Sequence, residues 1–308
     1  MNRNIRKLDI TATLACIGPL ILWSAGPNFI KFLTDYLDLW TQNLLRYIAA
    51  CLFWLPFLIS EFKKKRVDKS IWRRALLPAV PNIAMQSLWA AGFYYIDPAF
   101  FVLLNKSSVI WIAAFSLIFF ADERPLLKSN RFWLGTALSI VGVIGALVFK
   151  EDFATTNTIM GVVIALAASI TWALYTISVK ITLKDIDSRV GFSVISIYTL
   201  FGLFVLAMIF GRPADCIEMG AWPWACVIIS GITAIGLGHV LYYAAIKRIG
   251  ATIPALVILS QPFTTFAISN VLFGEFLNRF QWLFGIVLLA GSALAILTQQ
   301  HLKPNQRL

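Results

Sequence analysis

Acidic residues are scarce in this chain, and none stands in the middle of a long apolar segment. Asp and Glu together number 15 in 308 residues, all in loops or at segment ends. Only two histidines occur, His239 and His301, and the four cysteines form no CxxC pair. HExxH, GxSxG and P-loop sequences are missing. These absences remove the usual parts for metal hydrolysis, serine hydrolysis and ATP-driven pumping. They also argue against a disulfide framework or zinc site, so no cofactor and no metal are expected. Charge of any kind is thin, at 13% against about 25% in soluble domains.

What the chain has instead is apolar length. Hydrophobic residues make up 59%, and mean hydropathy is +0.78. One soluble core cannot hide that much apolar surface, so lipid is the second solvent. Ten segments are long enough to cross about 30 Å of hydrocarbon: 10–32, 40–60, 75–96, 98–120, 132–149, 159–181, 190–210, 222–243, 251–273 and 281–298. The first is too long for a signal h-region and lacks a small-x-small cleavage site, so it reads as a retained span.

The net charge of +11 sits in short loops, with its longest run at Lys63-Lys64-Lys65-Arg66. With the N-terminus inside, twenty Lys and Arg fall on the cytoplasmic side and four outside, while Arg46 and Lys106 lie within spans. That asymmetry is the positive-inside pattern. It puts both termini in the cytoplasm, the chain in the inner membrane, and makes nucleic-acid binding an unneeded reading.

The two halves repeat. Trp23 and Trp172, and Lys31 and Lys180, are each offset by 149 residues; Glu123 and Glu275 are offset by 152. Gly135 and Gly285, and Gly142 and Gly291, follow at 150 and 149. Several landmarks in order at one offset are a repeat signature. Five spans per unit is odd, so the second copy enters from the opposite face, the plan of secondary transporters with a midplane site. The expected architecture is therefore all-α integral membrane, with ten transmembrane helices in two inverted five-helix repeats, 10–149 and 159–298.

Leu22-Trp23 in the first span, Leu272-Phe273-Gly274-Glu275 closing the ninth, and the Gly-studded fifth and tenth spans resemble the EamA domains of the drug/metabolite transporter superfamily. The resemblance implies export or exchange of amino acids, organic anions or related small solutes through a cavity between the repeats. The fold alone names no substrate.

Polar residues inside spans are the site candidates. Lys106 lies eight residues past Pro98, roughly 12 Å along a helix, with Asn105, Ser107 and Ser108 beside it. It reads either as an anchor for an acidic group or as a snorkelling side chain. Gln261 adjoins Pro262, with Ser260 and Thr264 on a shared face, as a site wall or an interhelical hydrogen-bonding set. Trp23, Trp172 and Tyr175 form an aromatic group; Gln86 and Trp89, with Asn82, form a second wall. Arg46 and His239 read as snorkelling residues nearer the span ends. Lys31, Lys180, Glu123 and Glu275 read as gate or structural residues. Gly142-x-x-x-Ala146 and Gly291-x-x-x-Ala295 predict close packing between the halves, in a monomer or weak homodimer. With no mid-span acid, the coupling is exchange, facilitated diffusion or a proton step at Lys106. A channel-like facilitator and a membrane-embedded enzyme are the alternatives.

Overall fold

A computed structural model describes residues 10–120, 124, 127–149, 155–183, 185–249 and 257–302. Side chains of the first helix are described from Ile17 onward. Among the described residues the chain is helical, without strands. The first half holds α1 (Ile10–Leu33), α2 (Leu39–Lys63), α3 (Ile71–Gly92), α4 (Pro98–Asn105), α5 (Ser108–Phe119) and α6 (Asn130–Val148). The second holds α7 (Thr156–Leu183), α8 (Ser188–Phe210), α9 (Ala221–Ser230), α10 (Gly238–Ile249), α11 (Gln261–Phe273) and α12 (Arg279–Leu302).

Seven stretches are long and apolar enough to cross a membrane: Leu39–Lys63, Pro98–Phe119, Asn130–Val148, Asn157–Leu183, Ser188–Phe210, Ala221–Ala245 and Arg279–Thr298. The expected spans 10–32 and 75–96 are α1 and α3, and α3 is the more polar helix, carrying Arg73, Arg74, Asn82 and Gln86. Of the expected span 251–273, the part before 257 lies outside the described residues. Large apolar side chains such as Leu52, Val80, Ile118, Ile144, Phe201 and Val271 stand exposed, as a lipid-facing surface requires.

Three expected spans are not continuous α-helices; the ninth breaks at Leu259-Ser260, before α11. The fourth breaks at Lys106-Ser107, between α4 and α5. The eighth passes through a π-helical segment, Gly231–Leu237, between α9 and α10. The wider turn lies against close neighbours: a Cβ at Gly231 would come within 2.4 Å of the Arg46 carbonyl oxygen. Ala234 and Gly236 of that segment present carbonyls that accept the indole N–H groups of Trp23 and Trp54, at 2.9 and 3.0 Å. π-segments of this kind gather at functional sites.

The halves interlock through their first helices. α1 packs on α10 and α11, while α7 packs on α3, α4 and α5. The halves also meet where α2 and α3 pack on α8, and along the longest seam, α6 against α12. There Gly142 meets Leu288, Gly291 meets Gly135, and Ser139 and Ser292 approach at 3.2 Å. The small-residue pattern thus serves contact within the chain.

Helix ends are secured locally. Asp38 caps α2, accepting from the Trp40 and Thr41 amides at 2.8 and 3.0 Å and from the Arg212 amide at 2.8 Å. Burial pushes its carboxyl up, but the hydrogen bonds from Thr41, Arg212 and Trp40 outweigh that and hold it below the ordinary value. Asp38→Ala removes a cap of a kind that contributes about 1 kcal/mol. A lowered melting temperature in detergent is the expected result, with the wild-type margin shrinking as pH falls and Asp38 protonates. An unchanged melting temperature at pH 7 would remove the cap.

Candidate functional site

The Lys106-Ser107 break and a second one at Leu259-Ser260 fall at matching places in the two halves. At the first, hydrogen bonds tighten to three-residue spacing: Lys106 N to the Leu103 carbonyl at 3.1 Å, and Ile110 N to the Ser107 carbonyl at 2.9 Å. At the second, Pro262 stands in the first turn of α11 and has no N–H to donate. The two breaks meet. Lys106 Nζ donates to Gln261 Oε1 at 2.7 Å, and Gln261 Nε2 donates to the Trp23 carbonyl at 2.7 Å. Ser24 of α1 hydrogen-bonds Thr264 of α11, while Ser107 donates to Ser169 of α7 at 3.1 Å.

A cavity opens at this junction, with about 130 Å³ open to the centres of water molecules. Lys106, Asn105, Ser108 and Gln261 supply its polar wall, facing Gln86 and Trp89 of α3. Trp23 and Trp172 meet edge to face with ring centres 5.8 Å apart, and Tyr242 tilts against Trp23 at 5.0 Å. No Asp or Glu lines the cavity among the described residues. Nor does any group of His, Cys, Asp and Glu there suit a metal ion.

Two residues read from sequence as snorkelling lie here instead. Arg46 is 2% exposed and lines the cavity, with Nε donating to Ser230 Oγ at 3.0 Å. His239 is likewise buried and lines it, its Nδ1 3.0 Å from the Ile235 carbonyl. The correction has a physical reason. Arg46 is seven residues, roughly 10 Å, into α2, a depth that permits either a lipid-edge or an interior head group. In the fold Ser230, just before the π-segment of the other half, accepts from its Nε, and the head group stands inside. The glycines of Ser230-Gly231-Ile232-Thr233-Ala234-Ile235-Gly236-Leu237-Gly238-His239 were the available sequence signal for that close approach.

A model of the EamA-like transporter family matches residues 10–148 and 159–297. The chain belongs to that family. EamA-like transporters are part of the drug/metabolite transporter superfamily, and the chain is accordingly a multi-pass membrane transporter. An uncharacterized transporter of Haemophilus influenzae is 22% identical over 292 residues, covering 90% of this chain and 94% of the relative. One from Synechocystis is 26% identical, covering 94% and 85%. A crystal structure at 14% identity shares the fold, with TM-score 0.64 over 96% of this chain and 99% of the other.

Other expected residues of this EamA-like transporter stand away from the cavity wall. Tyr175 is buried beside Leu58, Ile71 and Ile195, its hydroxyl 2.5 Å from that of Tyr243. Ser260 donates to the Val257 carbonyl at 2.6 Å within its own turn. Asn82 turns to Tyr47 and Thr199, at 3.2 and 2.8 Å. Lys31 donates to the Phe93 carbonyl at 3.2 Å, and Lys180 sits over the Phe120 ring at 3.7 Å. Glu123 lies outside the described residues.

Glu275 is a buried carboxylate, 5% exposed, at the end of the ninth segment. Its oxygens accept from the Ala99 and Phe100 amides at 3.0 Å each, and Ser269 donates to it as well. A side chain from the second half therefore caps α4 in the first, where the helix dipole favours negative charge.

Proposed function

We propose that this chain is a secondary carrier, moving a small metabolite by alternating access through the cavity between its halves, for export or exchange. The observation that carries the reading is the meeting of two helix breaks at Lys106 and Gln261, each from a different half. Discontinuous helices at a repeat interface are how carriers place irregular backbone at membrane depth, where it must line a cavity or be buried in protein. The reading takes ten spans in two inverted units, 10–149 and 159–298, with both termini in the cytoplasm of an inner-membrane protein. Reciprocal packing of α1 and α7 on the opposite half supports it. Rocking one half against the other would open the cavity to each side in turn. The Glu275 contact to α4 joins the halves at the end where α4 begins, and so acts as the outer clasp.

The test is transport by the purified protein in proteoliposomes loaded with a defined mixture of amino acids and organic acids. A carrier shows saturable uptake of at least one solute, accelerated when that solute is also present inside. Flux that rises linearly with concentration and ignores the trans side identifies a channel-like facilitator instead.

A further inference from the structure

We propose that the solute is an organic anion, with its carboxylate or phosphate taken by Lys106 and Arg46 and its apolar body against the Trp23–Trp172 wall. This deepens the carrier reading of the same cavity. Both side chains line that cavity, and they are 7% and 2% exposed. Neither has a carboxylate within ion-pairing distance among the described residues. Buried cations that serve structure alone are paired with acids, because each unpaired charge loses its hydration without return. Here the partners are neutral: an amide oxygen on Gln261 and a hydroxyl on Ser230.

Donor capacity is also left over. Arg46 Nη1 is buried with no hydrogen-bond partner among the described residues. Lys106 has three N–H groups and one acceptor in the hydrogen bonds described. Asn105 Nδ2, on the same wall, is a further buried donor without a partner among the described residues. A cationic solute would meet the repulsion of both cations with no acid on the wall among the described residues to offset it. Two cations without a resident acid also favour a doubly charged anion over a singly charged one.

The rest of the wall fits an apolar or planar body. Trp23 and Trp172 stand edge to face, and Val109, Ile112 and Ile258 line the space beside them. The indole N–H of Trp23 is already committed to the Ala234 carbonyl, so its ring rather than its donor faces the solute.

The proposal is tested with four probes that share one ring and differ in charge: phenyl phosphate, benzoate, benzamide and benzylammonium. Binding to the detergent-purified full chain is read from thermal stabilisation at constant ionic strength. Phenyl phosphate and benzoate should stabilise saturably, phenyl phosphate the more tightly, with benzamide weaker and benzylammonium without effect. Lys106→Gln and Arg46→Gln should each weaken the anions by about tenfold or more, the scale of one lost charged hydrogen bond, and leave benzamide unchanged. Lys106→Arg and Arg46→Lys keep the charge and should retain most of the anion affinity. The wild-type comparison needs no variant, so a misfolded substitution does not protect the idea. Benzamide binding as well as benzoate, or no stabilisation by either anion, overturns it; so does an equal loss for all probes in the Gln variants. Trans-accelerated transport of a neutral or cationic solute would keep the carrier and remove the anion. Anion binding with no counterflow of any solute would do the reverse.

Discussion

Gly142→Leu should leave little folded protein, and even Gly142→Ala should lower the melting temperature clearly. A Cβ at this position would sit 2.4 Å from the Leu288 backbone nitrogen and 2.6 Å from its Cα. Backbone atoms cannot rotate away as a side-chain tip can, so the α6–α12 seam must part. Overpacking of this kind costs about 1–3 kcal/mol, and the lost contact runs along the seam rather than at one point. Lipid offers apolar surface no less attractive than a neighbouring helix, so close packing is a main source of helix association in a bilayer. Gly291→Ala should behave alike, since its Cβ would meet the Gly135 carbonyl oxygen and the Ser139 nitrogen at 2.6 Å each. Gly220→Ala is the control: a Cβ there meets nothing within 4 Å, so only the N-cap preference of α9 for Gly over Ala is lost, below about 1 kcal/mol. The measurement is thermal unfolding and gel-filtration recovery in detergent. Equal behaviour of Gly142→Ala and Gly220→Ala would remove the close seam from the account.

Glu275→Ala is the second large effect, expected at about 3 kcal/mol. Hydrogen bonds to a charged group each contribute about 1.5–3 kcal/mol, and this carboxylate accepts two from the start of α4 and one from Ser269. Ala leaves the Ala99 and Phe100 amides without that acceptor. Glu275→Gln keeps one oxygen but turns an NH₂ toward a donor, so it should fall between Ala and wild type. Burial pushes the Glu275 carboxyl above its ordinary range, against hydrogen bonds from Ser269 and Ala99 and with Asp97 adding in the same direction. The native state then holds this proton more tightly than the unfolded chain. Its contribution to stability is fullest below the unfolded value and declines as pH rises through the folded one. Glu275→Gln should flatten that part of the profile. A profile identical to wild type would place the titration elsewhere.

Local composition was enough for the membrane class, the helical content and the family, because lipid admits few ways to satisfy a backbone. Offsets near 149 predicted a repeat, and the family model matches once in each half; Lys106 and Gln261 stood out as polar residues in apolar surroundings. The span ends were legible within a few residues, as at α8, expected over 190–210 and found at Ser188–Phe210.

Other features depended on partners far away in the chain. The Arg46 side chain points to the interior, where Ser230 of the other half accepts from its Nε, and the missing side chain of Gly231 lets that segment lie against the Arg46 backbone. Tyr175 shares a helix with Trp172, one turn away, yet neighbours from α2, α3 and α8 enclose it apart from the cavity. Glu275 announced only that a carboxylate near the membrane needs donors; beside nearby Ser269, two of them belong to α4, some 176 residues back. The Gly-x-x-x-Ala patterns promised close approach and left the partner helix unnamed. Sequence alone determined which residues must be satisfied in a bilayer, since burial cost is a property of the residue. Only the tertiary structure decided which distant group satisfies each, and therefore that two basic side chains face one cavity with no acid lining it among the described residues.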